Sequence, residues 1–345
     1  MHMADALLTP AVGIALWAAS GVTLAWCARK VGTSVRDDLV PLMGVLGAFV
    51  FAAQMINFAI PGTGSSGHIG GALLLSILLG PHAALVVMAS VLTVQALFFA
   101  DGGLLALGAN IFNLGVFPCF VGYALIYRPL LRRGGAAPSA RRVGAITLLA
   151  AVIGLQFGAF GVVLETRLSG ISSLPLDTFV LLMQPIHLAI GLIEGLATAA
   201  LILFVRQARP DLLLDRAAAH KAVGNQVWMP TRLLALLAVI ALLGGVLFAS
   251  TQPDGLEWAV RRITGRTELA QPESALHARL AQWQKKLTVL PDYQFAGAAK
   301  DKAADPARSL SGLVGGGATL AVIVFTAYLL RRGRKRGAVP RTRRP

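Results

Sequence analysis

Charge is scarce in this chain: Asp, Glu, Lys and Arg make up 14% of its 345 residues and hydrophobic residues 56%, against an apolar share of roughly 45–50% in soluble domains. An ordinary water-soluble fold is excluded. Cysteine is nearly absent. Cys27 and Cys119 sit in or at the ends of apolar segments without CxxC spacing, which excludes a disulfide framework and a thiolate metal site and leaves two small buried hydrophobes. No GxxxxGK[ST] phosphate loop occurs, nor any nucleophile or zinc-hydrolase pattern, so the chain reads as non-enzymatic, with ATP hydrolysis left to other proteins. Acidic residues are also few, giving a net charge of +15. Much of that excess lies beside apolar runs and in the tail from Arg331 to Arg344, the pattern of membrane flanks and not of a nucleic-acid surface.

What is abundant is long apolar sequence. Runs able to cross about 30 Å of hydrocarbon fall near 6–28, 39–60, 83–100, 104–126, 143–164, 178–205, 231–250 and 313–330. A shorter run from Ile69 to Leu79 reads as a broken or partly sunken helix between glycines. The fold class is therefore all-α, a polytopic transmembrane bundle of about nine segments in a cell membrane. The first run is not a removable signal, because MHMAD lacks a basic n-region and Arg29, Lys30 and Arg36 follow the run instead. Trp26 occupies the position where a lipoprotein signal needs a small residue.

Positive charge sets the orientation. Segments 29–38, 128–142, 206–232 and 331–345 are rich in Arg and Lys, whereas 61–68, 101–103 and 165–177 hold only Arg167. With nine spans all the basic segments share one side, so the N-terminus and the loop Pro61 to His68 lie outside and the C-terminus is cytoplasmic. Residues 251–312 form the one long outer segment. The expected organisation is a membrane domain over 1–206, a cytoplasmic linker over 207–230, and a two-span module over 231–345 with the outer loop 251–312 and a basic tail.

The chemistry is expected at the start of the chain. A histidine in second position offers the terminal amine of Met1, the His2 amide and the His2 imidazole, which close small fused chelate rings on three corners of a square plane. That geometry suits Ni²⁺ or Cu²⁺ better than Zn²⁺. His68, after the Gly62-to-Gly67 loop, is the candidate fourth nitrogen. The loop is read as flexible from its glycines and serines. On the bland reading His2 is a solvated side chain and the loop a connection, but the charge-derived topology brings both histidines to one face.

Gln54, Asn57, Gln95, Asp101, Asn110 and Asn113 are assigned to the outer halves of their helices, where they would form a polar chamber or hydrogen-bond between helices. His187 and Glu194 share a helix face about 10 Å apart along the axis, too far to bind one ion together. Helix pinning is the preferred role for Glu194. His82, His220 and His277 receive no role.

These motifs resemble the NikM/CbiM metal-specific components of energy-coupling-factor transporters for nickel and cobalt. The opening Met1 to Pro10 is similar to that family's start, although Met3 stands where the family has Ile and Ala6 where it has Gly. The stretches Gly64 to Ala72 with Leu79 to Pro81, Gln95 to Leu104, Gly108 to Asn113 and His187 to Gly195 also resemble family signatures. The resemblance implies a seven-helix core whose metal ligands are the Met1 amine, the His2 amide and imidazole, and His68. Residues 231–345 resemble the two-span NikN/CbiN component, with Asp254, Glu257 and Trp258 after its first span and Asp292 and Tyr293 before its second. It implies an outer loop that assists metal loading, and a coupling T subunit with ATPase subunits as partners.

The expected function is thus the substrate-binding membrane subunit of an ATP-driven Ni²⁺ or Co²⁺ importer, nickel favoured because four nitrogens in a plane suit it. No permanent cofactor is expected, only the transported ion. The competing readings are an autonomous ion-coupled carrier, with His187 and Glu194 as a proton relay, and a membrane metal sensor that moves nothing.

Overall fold

The computed structural model describes residues 1–34, 39–133, 138–213, 250–270, 272, 274–295 and 306–337. The expected span 231–250 except its last residue, most of the linker, His220 and the end of the basic tail lie outside them. The long helices are α1 (Pro10–Ser34), α2 (Leu39–Gln54), α4 (Pro81–Phe98), α5 (Leu107–Arg132), α6 (Ala140–Ser169), α7 (Leu176–Ala208) and α10 (Pro306–Gly337). Between α2 and α4 lie a hairpin of β1 (Phe58–Ile60) and β2 (Ser65–Gly67) and the short helix α3 (Ala72–Leu79). The C-terminal module adds α8 (Gly255–Thr264) and α9 (Ala275–Leu287).

Six of these helices are long and apolar enough to cross a membrane, and α2 is a shorter apolar one. Their outward faces carry bare hydrophobes such as Val22, Leu125, Leu168, Leu181 and Leu196, while Gln54, Gln95, Asn113, Glu165, His187 and Glu194 are buried inside. Bare hydrophobes on the outside, with the costly polar side chains turned into the bundle, are the arrangement a bilayer imposes. The chain is a multi-pass membrane protein.

Helix α4 forms the middle of the bundle. It packs on α3, α5, α2, α1 and α10, while α6 runs along both α7 and α5. All eight residues of α3 are buried. It is the sunken segment expected from sequence, bounded by Gly71 and Gly80, which take φ of 80° and 83° where a side chain would strain the backbone. Pro81 then starts α4 without the amide hydrogen that a first turn leaves unpaired. In α5 residues Phe112–Tyr127 wind as a π-helix that contains Pro118.

Two sequence-based expectations shift. Helix α1 starts only at Pro10, so residues 1–9 are a separate buried ribbon with Met1, Met3, Leu7 and Leu8 packed inside. Helix α2 stops at Gln54, and residues 58–60, expected as its end, pair with 65–67. The Gly/Ser stretch read as a flexible loop is therefore an ordered hairpin, whose turn uses Gly62 and Gly64 at φ of 75° and 73°. Its composition reflects turn geometry, not mobility.

Candidate metal centre

The ribbon is held from several sides. Asn110 clamps Met3 twice, its Oδ1 accepting from the Met3 amide at 2.7 Å and its Nδ2 donating to the Met3 carbonyl at 3.2 Å. Gly103 N donates to the same carbonyl at 2.9 Å. Asp5 accepts from Ala106 N at 2.9 Å, and Ser169 Oγ accepts from Thr9 N at 3.1 Å. His277, given no role from sequence, is buried in α9, where its Nε2 donates to the carbonyls of Leu8 at 2.9 Å and Asp5 at 3.2 Å. That assignment is corrected: the C-terminal module grips the N-terminal turn through this ring.

So fixed, the first two residues meet the hairpin. The Met1 amine lies 3.5 Å from His68 Nε2, and the His2 and His68 rings stack with centroids 5.2 Å apart and planes 15° from parallel. His68 Nδ1 donates to the Ile69 carbonyl at 3.3 Å, which leaves its Nε2 lone pair facing the amine. Neighbouring nitrogens bound at about 2.0–2.1 Å to one ion stand about 3 Å apart, so closing on a metal needs a movement of about half an ångström. His2 Nδ1 meets Asp101 Oδ1 at 3.1 Å. Only Nδ1 closes a six-membered ring with the His2 amide, so loading an ion means that Nδ1 exchanges Asp101 for metal. Among the described residues no three His, Cys, Asp or Glu side chains cluster as a metal site. A centre at His2 and His68 would need further donors, which the Met1 amine and the His2 amide can supply.

The C-terminal module completes the wall. Ser66 N donates to the Pro253 carbonyl at 2.8 Å and Ser66 Oγ to the Gln252 carbonyl at 2.7 Å, an edge contact on β2 just before His68. Asp254 then does two jobs. Its Oδ1 caps α8 by accepting from the amides of Leu256 and Glu257, both at 2.8 Å, with Glu257 returning the bond to Asp254 N as a capping box. Its Oδ2 meets the Met1 ammonium at 2.5 Å. Trp258 Nε1 donates to the Thr63 carbonyl at 2.9 Å and braces the hairpin turn.

The electrostatics follow from this closeness. Burial, the nearby ammonium and then His2 push the His68 imidazole down to about 3. Burial opposes ionisation of Asp101, but the charge and hydrogen bond of His2 hold its carboxyl well below the usual range. Burial likewise works against Asp254, and the ammonium outweighs it, holding the group at about 2. Burial and then Asp101 keep the Tyr293 phenol protonated far above its ordinary value.

A cavity of about 440 Å³ opens on this centre, lined by His2, His68, Gln54, Asn57, Asp101, Asp254, Glu257, Asp292 and Tyr293 among others. Asn57 and Asp101 lie in loops beyond the helix ends, not within helices as expected. Gln95 stands one hydrogen bond behind, its Nε2 donating to Gln54 Oε1 at 2.8 Å while Gln54 Nε2 donates to the Gly70 carbonyl at 2.7 Å. Asn113 is turned elsewhere, its Nδ2 donating to Glu165 Oε2 at 2.7 Å. Glu165 and Asp5 were missed because single carboxylates near span ends carry no spacing signal. Glu194 accepts from Gly71 N at 3.0 Å and holds the start of α3. His187 lies instead against a second, small cavity that it shares with Met1, His68 and Asp254.

Comparison with known proteins gives the same outline. Residues 2–212 match the family described as "Cobalt uptake substrate-specific transmembrane region", and residues 230–332 match the PDGLE domain. The chain is 38% identical over 226 residues to the putative fused nickel transport protein NikMN of Archaeoglobus fulgidus, covering 64% of this chain and 70% of that one. It is 31% identical over 319 residues to the fused nickel transport protein NikMN of Rhodobacter capsulatus, covering 85% and 88%. A crystal structure of a transition metal transporter superposes with a TM-score of 0.53 at 30% identity, covering 60% of this chain and 93% of that one.

Proposed function

The chain belongs to the CbiM family of cobalt-uptake substrate-specific transmembrane regions, with a PDGLE domain following in the same chain, and on that premise we propose that it is the substrate-binding membrane subunit of a Ni²⁺ or Co²⁺ importer. The observation that carries this reading is the approach of the Met1 amine to within 3.5 Å of His68 Nε2 beside the stacked His2 ring. The Met1 amine, the His2 amide and imidazole, and His68 take the ion as four nitrogens in a plane. Such a set favours Ni²⁺, and the two fused relatives above are nickel transport proteins by name.

In this reading residues 1–206 form the metal-binding domain, 207–230 a cytoplasmic linker and 231–345 the accessory module, with the centre facing outside. Binding releases the ammonium and amide protons, so affinity rises with pH. The module holds the ribbon and hairpin in register while the ion enters. ATP hydrolysis in separate subunits, coupled through a T subunit, then reorients the chain and releases the ion inside. The chain itself carries no phosphate-binding loop.

One added glycine before Met1 moves the amine out of the chelate. Equilibrium dialysis of the purified full chain with ⁶³Ni²⁺ is expected to show loss of high-affinity binding in that variant. Binding equal to that of the unextended chain overturns the four-nitrogen centre.

A further inference from the structure

Beside the centre, one imidazole is left without a role by the planar chelate. His187 is 1% exposed. Its Nδ1 lies 2.7 Å from the Met183 carbonyl one turn earlier in α7. A carbonyl only accepts, so Nδ1 carries the proton and Nε2 is left with its lone pair. That Nε2 has no hydrogen-bond partner among the described residues. A buried acceptor without a partner is costly, and a histidine that gives its other ring hydrogen to a backbone carbonyl is the usual form of a metal-binding imidazole.

The surroundings say where that lone pair is used. His187 lines a cavity of about 10 Å³ together with Met1, His68, Asp254 and Gly255, at the lower limit of what holds one water. Gly255, the second residue of the Asp254-to-Glu257 capping box, comes so close that a Cβ there would stand 3.0 Å from His187 Cε1 and 3.3 Å from Nε2. The C-terminal module thus closes on the ring only because that position lacks a side chain.

We propose that His187 Nε2 supplies a fifth, axial donor to the transported ion, acting through the single water that this cavity accommodates. The inference rests on the four-nitrogen reading: once the corners of the plane are taken, any further donor is axial. An axial donor matters unequally to the two metals. Low-spin Ni²⁺ is satisfied by four nitrogens in a plane, whereas Co²⁺ favours five or six donors. His187 is therefore a specificity-determining residue that lets a nickel-shaped plane accept cobalt.

The test uses the full chain in nanodiscs, titrated with NiCl₂ and CoCl₂ separately, comparing the parent with His187→Leu and His187→Gln. Leu fills the cavity and Gln keeps a polar group, so one survives if the other misfolds. Co²⁺ affinity is expected to fall by about 10-fold or more while Ni²⁺ affinity changes less than about 3-fold. Bound Ni²⁺ is expected to gain square-planar, diamagnetic character in its visible spectrum and magnetic susceptibility. Equal losses for both metals with an unchanged nickel spectrum, or no change for either, overturn the proposal. The glycine extension before Met1 serves as the control. If it leaves binding intact, the planar chelate fails and the axial role with it. If it abolishes binding while both His187 variants match the parent, only the axial role fails.

Discussion

The Tyr293 hydroxyl donates to Asp101 Oδ2 at 2.5 Å, and the other oxygen of that carboxylate meets His2 Nδ1 at 3.1 Å. The C-terminal module therefore reaches the His2 imidazole through two side chains, Tyr293 and Asp101, and the backbone around them is pinned in place. Val289 N and Leu290 N donate to the Phe98 carbonyl, and Asp292 N to that of Phe99. Ala100, Asp292 and Tyr293 all take positive φ, at 55°, 50° and 60°. Three strained non-glycine residues in one contact persist only where surrounding structure over-determines them.

Tyr293→Phe removes one hydroxyl and keeps the ring stacked on Phe99, whose centroid lies 4.8 Å away. Asp101 then loses the donor that fixes its orientation, and His2 loses a fixed partner. Because His2 Nδ1 must leave Asp101 to take an ion, a less firmly held carboxylate competes less, and nickel affinity is expected to stay level or rise by up to about threefold, less than 1 kcal/mol. Isothermal titration of the variant checks this. A tenfold loss of affinity would show instead that Asp101 supports the bound ion.

Acid stability should report on His68. Its imidazole stands at about 3 in the fold, below the ordinary 6.5. Between those values the unfolded chain binds the proton and the folded one does not, so stability is full above pH 6.5 and is lost as pH falls toward 3. Metal-free protein is expected to melt lower at pH 4.5 than at pH 7, and His68→Gln to show a smaller drop over the same interval. Fluorescence-detected melting in detergent measures both. Equal drops would mean that His68 does not set the acid limit.

Glu194 separates a pinning role from a proton relay. Its Oε1 accepts from Gly71 N at 3.0 Å, a bond that an amide oxygen can replace. Glu194→Gln is expected to keep stability and metal uptake near the parent's, while Glu194→Ala leaves the Gly71 amide unpaired and costs about 1–3 kcal/mol. A stable Gln variant that accumulates no nickel in cells would favour the relay instead.

The membrane fold was legible because its signals are long. Runs such as 178–205 sit within helices such as Leu176–Ala208, and the sunken segment before Pro81 announced itself through its flanking glycines. What sequence could not reach were contacts between distant parts of the chain. Asp254 is 253 positions from the amine it faces, and His277 is 269 from the Leu8 carbonyl that it binds. Neither pairing has a spacing to detect. The hairpin was misread for a local reason: Gly and Ser mark a tight turn and a flexible linker alike, and it is the pairing of 58–60 with 65–67, together with the bond from Ser66 to Pro253, that decides between them.

Asp254 allows a separation of structural from chemical roles by counting charge. In the metal-free state its carboxylate faces one positive charge, the Met1 ammonium, at 2.5 Å. A divalent ion that displaces the ammonium proton and the amide proton also leaves a net single positive charge at that place. Asp254 therefore stabilises both states to a similar degree. Asp254→Asn keeps a side chain able to cap α8 but removes the charge. Its melting temperature is expected to fall in both the metal-free and the nickel-loaded protein, while nickel affinity stays within about threefold, less than 1 kcal/mol. Calorimetric titration alongside melting with and without NiCl₂ measures both. A tenfold loss of affinity would place the Asp254 carboxylate directly on the ion, as an oxygen ligand beside the four nitrogens.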